Sequence, residues 1–230
     1  MTKSHLASGI ASALDGLPSG MRTRSGSVFY TGFAAFDAPS DLYVLGLNPG
    51  GNPNTQCDET VAQHLSDWQT LPDRWSAYSD ESWDGKAPGT CGMQPQMLHL
   101  FSRLKRDPQA VPASNVCFVR SNNEASLAAE KDRLIEQCWP VHAAVISALD
   151  VSTILCLGGT AGRWVREHTG ATRLLDRFRE TNARGWTSEA HVAKDGRAVV
   201  TVTHPSRANW KNPDADPTPL LARILARDND

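Results

Sequence analysis

Short apolar runs alternate with longer amphipathic segments along most of the chain. The apolar runs predict buried strands at residues 41–47, 115–119, 151–157 and 197–203. The amphipathic segments predict helices at residues 60–69, 92–105, 126–149, 160–168, 173–179 and 217–226. Because strands that alternate with helices favour parallel pairing, we expect an α/β fold with a mostly parallel sheet and helices on both faces.

The rest of the chain predicts smaller features. We expect an N-terminal extension over residues 1–27, with a short helix at residues 5–14, and a single α/β domain over residues 28–230. Residues 28–36 predict an edge hairpin strand, and residues 187–193 should pair with 197–203 around a Lys194-Asp195-Gly196 turn. Pro140 should kink the long helix. Residues 71–91 are irregular and polar, and loops of that length are usually functional or mobile.

Composition excludes some classes of protein. A chain of 230 residues suits one α/β domain, and its net charge of −2 excludes a global polycation, although a local basic face would suffice for nucleic acid. The five cysteines have no metal-site spacing, which indicates a reducing compartment, and Cys117, Cys138 and Cys156 lie in apolar runs typical of a core. The N-terminus has no apolar stretch long enough for a signal peptide or membrane helix, so we expect a cytoplasmic protein, in the bacterial cytoplasm or nucleoid.

Generic catalytic and nucleotide-binding motifs are absent from the sequence. Gly50-Gly51 lacks the GK[ST] of a phosphate loop, Gly158–Gly162 is not GxGxxG, and there is no GxSxG or HExxH. The polar loops that follow the predicted strands should share one edge of the sheet, where open α/β folds bind ligands. Taken alone, Asn48 is typical of a turn residue, and His204 is typical of a hydrogen-bonded histidine at a sheet edge. Together they could orient a water molecule and donate a hydrogen bond to a developing anion.

Four segments, taken in order over residues 40–210, resemble the uracil-DNA glycosylase superfamily. The first is Gly46-Leu47-Asn48-Pro49-Gly50, similar to the GINPG and GMNPG motifs of mismatch-specific and single-strand-selective members. The last is His204-Pro205-Ser206, similar to the HPS form of the second motif. Between them, residues 115–121 resemble the strand and loop that read the base, and residues 135–161 resemble a segment of the iron–sulfur branch. The resemblance implies a three-layer α/β/α fold with a short, mostly parallel sheet.

The resemblance also implies an activity and a catalytic pair. Members flip a damaged base out of DNA and hydrolyse its N-glycosidic bond in base excision repair. Asn48 matches the residue that positions water, and His204 matches the donor to the departing base. Since an amide is not a base and lacks the charge of an aspartate, we expect slower chemistry than in members with Asp at this position.

The resemblance places the base pocket in the first motif and in the segment after it. Gly46, Leu47 and Gly50 would line the base, and Gly50 replaces a tyrosine that blocks thymine, which implies a roomier pocket. Gly50 could instead serve only the turn. Asn115 is the expected base-reading amide. With a gap in the alignment, Asn122 or Asn123 would match the base-reading position instead. These two residues could otherwise form an ordinary turn with a helix cap.

Contacts to DNA are implied for the loop after His204. Ser206, Arg207, Asn209 and Trp210 lie where the family inserts a loop into the duplex, although Trp210 could instead pack against the C-terminal helix. The aromatic residue that stacks on the flipped base has no clear match. Trp75, Tyr78 and Trp83 are the candidates.

The sequence therefore predicts a monomeric, monofunctional DNA glycosylase that needs no metal or cofactor and whose partner is DNA with a damaged or mismatched base. There is no lysine in the matched motifs for Schiff-base chemistry, and the early cysteines of an iron–sulfur cluster are absent. Two alternatives stay open. One is a glycosylase-like module that binds nucleic acid or a nucleotide without cutting it, and the other is a hydrolase of free nucleosides or small metabolites.

Overall fold

The computed structural model describes residues 7–227, which form an α/β fold around a six-stranded mixed sheet. The strands are β1 (Leu42–Gly46), β2 (Ala113–Asn115), β3 (Thr153–Leu157), β4 (Arg173–Arg179), β5 (Thr187–Val192) and β6 (Ala198–Val202). Their order in the sheet is β2-β1-β3-β6-β5-β4. The first four strands in this order pair in parallel, whereas β5 and β4 join in antiparallel pairing. The carboxyl ends of four strands therefore lie along one edge.

Seven α-helices are present in the described part of the chain. They are α1 (Ser8–Asp15), α2 (Ser19–Arg22), α3 (Val61–Trp68), α4 (Gln94–Arg103), α5 (Lys131–Ala148), α6 (Gly159–Thr169) and α7 (Thr218–Ala226). Short 3₁₀ helices lie at Phe33–Phe36, Glu124–Leu127 and Pro213–Ala215. Over residues 7–227, no helix combines the length and apolar character needed to span a membrane.

Both faces of the sheet are covered, because successive strand residues point to opposite sides. Tyr43 and Leu45 belong to a core that α1, α5 and α6 complete, and Leu42 and Val44 belong to a second core completed by α4 and α7. All four side chains are fully buried. Helices on both faces are compatible with a three-layer α/β/α arrangement.

The described part of the predicted N-terminal extension packs into the first core. Ile10 and Leu14 of α1 are buried in that core, as are Leu17 and Met21 further on. Helix α1 packs against α5. Arg24 Nη2 also forms an ion pair with Glu130 Oε1, at 2.6 Å, which ties the segment after α2 to the start of α5.

Most of the predicted elements are present with small shifts of their bounds. The hairpin prediction is confirmed by β5, β6 and the Asp195-Gly196 turn, in which Ala193 N donates to Arg197 O at 2.9 Å. Cys117, Cys138 and Cys156 are buried, as the apolar runs predict. Of the short helix predicted at residues 5–14, the first two positions lie outside the described residues, and α1 accounts for the rest.

Three predicted elements were wrong or too long. Residues 173–179 form strand β4 rather than a helix, because they pair along their whole length with β5. Residues 28–36 form isolated bridges at Phe29 and Thr31 and a 3₁₀ helix, not a strand. The strand predicted at residues 115–119 ends at Asn115, where regular pairing with β1 stops, although residues 116–119 stay buried.

Candidate active site

Four polar or glycine positions lie along the carboxyl edge of the parallel strands. Asn115 ends β2, Asn48 follows β1 by two residues, Gly158 directly follows β3, and His204 follows β6 by two residues. Neighbouring strands lie about 4.8 Å apart, so the strands that lead to Asn48 and His204 are separated by about 10 Å, with β3 between them.

The loop after β1 is held against the chain that leaves β2. Three backbone N–H groups of the second segment donate to carbonyls of the first: Val116 to Gly46 (2.9 Å), Cys117 to Leu47 (2.9 Å) and Ser121 to Pro49 (3.2 Å). Arg120 adds side-chain bonds, from Nη1 to the Gly50 carbonyl (2.5 Å), from Nε to Ser25 Oγ (3.1 Å) and from Nη2 to Glu59 (2.7 Å). These bonds fix the backbone that carries Asn48.

The side chain of Asn48 is oriented by its own hydrogen bonds. Its Nδ2 lies 2.8 Å from Pro49 O, 3.4 Å from Val119 O and 2.9 Å from Ser121 Oγ. Since carbonyl oxygens only accept hydrogen bonds, the nitrogen must occupy this position. The half-buried amide is left with an Oδ1 that has no partner within residues 7–227, and this oxygen can accept a hydrogen bond from water.

Asn115, the base-reading amide expected from the resemblance, lies beside the first motif. Gly46 and Asn115 are partners in the parallel register, and Asn115 is only 7 % exposed. A Cβ on Gly46 would lie 2.2 Å from Asn115 Oδ1, so a glycine is required for the amide to lie flat against β1. Gly46 therefore leaves the space that the Asn115 side chain occupies.

Replacing Gly46 with alanine should destabilise the fold by about 1–3 kcal/mol, the usual range for overpacking a well-packed interior. Gly50→Ala is the matched control, because a Cβ there meets nothing within 4 Å and the φ of Gly50 lies outside the left-handed region. Urea denaturation measures both changes. Equal midpoints for the two variants would contradict the close contact with Asn115.

Gly50 itself is exposed and is not required by the turn. Neither its backbone conformation nor its surroundings exclude a side chain. The interpretation that Gly50 serves only the turn is therefore not supported. A Cβ at position 50 would meet nothing within 4 Å, and the roomier pocket implied by the resemblance stays a prediction.

Tyr30 is an aromatic residue beside Asn115 that the sequence did not single out. It is half-buried and its hydroxyl lies 3.2 Å from Ser27 Oγ. Burial raises the pKa of Tyr30, and hydrogen bonds with Ser27 and Asn115 oppose part of that rise. The ring stacks against Tyr78, with centroids 6.1 Å apart. Tyr30 lies in the segment predicted as an edge strand, and only its three-dimensional position shows that it neighbours Asn115.

The three candidates for the stacking aromatic residue, all in the long loop before α4, differ in burial and in their contacts. Tyr78 is 3 % exposed and packs against Phe101 and Trp83, so its ring belongs to the core. Trp83 is half-buried, and its indole N–H donates to Glu81 at 2.9 Å. Trp75 is also half-buried. None of the three contacts Asn48, Asn115 or His204 among the described residues.

The two other asparagine candidates lie in the loop after β2. Asn123 caps the 3₁₀ helix that follows, since its Oδ1 accepts from Ser126 N at 3.0 Å. Asn122 is exposed, and its side chain has no partner in the described part of the chain. The helix-cap interpretation is therefore confirmed for Asn123, and Asn115 is the amide that the fold brings to the first motif.

The tautomer of His204 follows from its contacts. Its Nδ1 accepts the backbone N–H of Ser206 at 3.1 Å and lies 2.8 Å from Ser206 Oγ. Because an accepting nitrogen carries no proton, the neutral ring is protonated on Nε2. Burial, followed by the nearby Arg207 cation, lowers the pKa of His204 below its usual 6.5. His204 is therefore a neutral donor through Nε2–H at pH 7.

Glycine at position 158 lets the end of β3 approach the histidine. A Cβ on Gly158 would lie 3.6 Å from His204 Cβ and 3.7 Å from Cδ2, and the φ of +102° favours glycine. Its N–H donates to Val202 O at 2.9 Å, which holds the loops after β3 and β6 together. No side chain from β3 fills the space beside the imidazole.

The loop after His204 has both exposed and buried residues. Ser206, Arg207 and Asn209 are exposed, and Arg207 has no acidic partner within the described range. Trp210, in contrast, is fully buried in the second core with residues of α7, and its backbone N–H donates to Gln96 at 3.0 Å. Packing is the correct interpretation of Trp210, which cannot stack on DNA without leaving the core.

The arrangement brings Asn48, Asn115 and His204 to one edge and leaves Tyr78 and Trp210 in the core. An amide acceptor oxygen and an imidazole N–H at one sheet edge are groups that can orient a water and stabilise an anion. Among known proteins, no family model matches the chain and no curated protein matches its sequence.

Proposed function

We propose that the protein is a monofunctional DNA glycosylase of the uracil-DNA glycosylase type, acting on uracil or a related deaminated base in base excision repair. The proposal includes a fold of that type, built on the four parallel strands. The observation that carries it is that Asn48, with a free Oδ1, and His204, with a free Nε2–H, both follow strands that end at the same sheet edge. The order of the four sequence segments supports it independently.

Each side chain has a distinct task in the proposed reaction. The bond between base and sugar breaks to give a positively charged sugar and an anionic base. His204 Nε2–H donates to the oxygen on which the base anion concentrates its charge, without transferring its proton. Asn48 Oδ1 accepts a hydrogen bond from the water that attacks the sugar cation, and the water loses its proton to solvent.

Asn115, Tyr30 and Gly50 recognise the base in the proposed reaction. An amide can donate to a uracil carbonyl and accept from N3–H, a pattern that cytosine does not match. Tyr30, which lies at Asn115, takes the place of the missing stacking aromatic. The open space at Gly50 admits a substituent on the 5-position of the base. Flipping costs a few kcal/mol, and less for a mispaired base, so mismatched DNA is the favoured substrate.

The rate of base release should fall as the pH drops through the lowered pKa of His204 and stay level above 6.5. Protonation would place a hydrogen on Nδ1, where the Ser206 N–H already points, and would break the bond that orients the ring. Single-turnover rates between pH 4.5 and 8 measure this. A rate that rises as the pH falls below 6.5 would show instead that the imidazolium is the active form.

Base release from labelled oligonucleotides tests the proposed function. Single sites of uracil, a 5-substituted uracil, hypoxanthine, xanthine and mismatched thymine are incubated with excess protein, and alkali reveals abasic sites. Release from at least one deaminated base by the wild type supports the proposal. Binding of the same DNA without release would favour the non-catalytic module, and turnover of free nucleosides alone would favour the small-molecule hydrolase.

A further inference from the structure

Trp186 is an exposed aromatic residue in the turn between β4 and β5. Its side chain is 42 % exposed, and Leu174, at 46 %, is the other large exposed hydrophobic residue within residues 7–227. A large indole at the surface exposes apolar area that folding normally buries. The sequence did not single out this residue, and the catalytic arrangement does not use it.

The turn that carries Trp186 lies at the same sheet edge as His204. Strand β5 runs antiparallel to β6, with Glu189 opposite Thr201, so β5 begins where β6 ends. A hydrogen bond from Arg184 Nη1 to the carbonyl of Arg207 joins the turn to the loop after His204. The exposed indole therefore neighbours the candidate active site.

Arg184 holds the indole in place. Its guanidinium lies 4.6 Å from the centre of the Trp186 ring, and Nη2 bonds to Glu180 Oε2 at 2.9 Å. The Glu180 side chain is 1 % exposed, and its backbone N–H donates to Trp186 O at 2.8 Å. One face of the ring is covered by the guanidinium, and the exposed area of the ring is held in a fixed orientation.

The charges around this turn suit a nucleic acid. Arg179 lies against the turn, since its Nη2 would be 3.4 Å from a Cβ on Gly185, and neither Arg179 nor Arg207 has an acidic partner in the described part of the chain. Asp214, the acidic neighbour of the turn, is bonded to Thr181. Unpaired guanidinium groups around an exposed aromatic ring are the combination that binds single strands through phosphates and stacked bases.

We propose that Trp186 stacks on a nucleobase of the DNA strand next to the excised nucleotide, with Arg179 and Arg207 contacting its phosphates. This inference rests on the proposed function, because it takes DNA as the ligand. The stacked base is one exposed by mispairing or single-strandedness, since a paired base has both faces covered. Trp186 is thus a DNA-positioning residue outside the catalytic pair.

Equilibrium binding to single-stranded DNA tests the role of Trp186. The probe is a fluorescent oligonucleotide of about 15 nucleotides with one tetrahydrofuran abasic analogue, which cannot be hydrolysed. Trp186→Ala in the full chain should weaken binding about 10-fold, within the range for loss of one stacked base. Trp186→Phe should recover part of the loss. Leu174→Ala is the matched control, because it removes a similarly exposed apolar side chain from β4 and should leave binding unchanged.

The outcomes separate this inference from the proposed function. Wild-type base release together with equal binding by wild type and Trp186→Ala would overturn the role of Trp186 alone. Weaker binding by Trp186→Ala, together with no base release by the wild type, would support stacking by Trp186 and contradict the proposed glycosylase activity. Equal losses in Trp186→Ala and Leu174→Ala, or no binding of the probe by the wild type, would overturn the inference.

Discussion

His204→Ala is expected to slow base release by about 10²–10³-fold in single-turnover assays, the usual cost of removing one donor to a developing anion. The loss follows from the position of Nε2–H, which the Ser206 contacts fix and which no other side chain of the loop after β6 replaces. Folding should be little affected, because the ring contacts glycine on one side and its own loop on the other. Rates at enzyme excess and a thermal melting curve measure the two effects.

His99→Ala provides the matched control for this experiment. His99 is a half-buried histidine on α4 whose Nε2 lies 3.2 Å from Asp216 Oδ2, and it lies outside the loops that carry Asn48 and His204. Its loss should leave base release unchanged. Equal rates of base release for wild type and His204→Ala would show that the imidazole takes no part in the reaction.

Asn48→Ala is expected to slow base release by about 10²-fold, since misplacing a reacting group by about 1 Å has effects of that size. Alanine removes the Oδ1 that accepts from water and also the Nδ2 that ties the loop to Val119 and Ser121. Asn54→Ala is the control, because it removes an exposed asparagine from the same loop. A similar small loss in both variants would show that the loop, and not the Asn48 amide, supports the rate.

The surroundings of Asn48 explain why an amide suits this position. A carboxylate in its place would face the carbonyl oxygens of Pro49 and Val119, which accept hydrogen bonds and would repel it. Only the Ser121 hydroxyl could donate to it. Asn48→Asp therefore requires the side chain to rotate, and the slower chemistry expected of an amide stays a prediction.

Elements with a strong local pattern could be predicted from the sequence. Strands β1, β3 and β6 are continuous apolar runs that end in turn-forming residues, and they carry Asn48, Gly158 and His204 to the same edge. Parallel strands place their carboxyl ends together, so this order alone predicts that the proposed catalytic pair, Asn48 and His204, shares one sheet edge. Asn115 is expected from the resemblance of residues 115–121 to a base-reading segment, and its pairing with Gly46 places it at the same edge.

Features that depend on distant parts of the chain could not be predicted. The apolar residues Leu174, Leu175 and Phe178 are spaced as on a helix, but pairing with β5 and a bulge near Leu174 make the segment a strand. The burial of Trp210 depends on where α7 packs, which the local sequence does not show. Tyr30 and Trp186 gain their significance only from the residues that surround them in three dimensions, and no local pattern marks either.

In the proposed reaction, Asn48 and His204 act on one glycosidic bond in DNA. Free base is measured by mass spectrometry after excess protein is incubated with oligonucleotides that each carry one uracil, hypoxanthine or xanthine. For at least one of these bases we expect one free base per oligonucleotide with wild type and with His99→Ala, and almost none over the same time with His204→Ala. Intact oligonucleotide and no free base after hours with the wild type would contradict it.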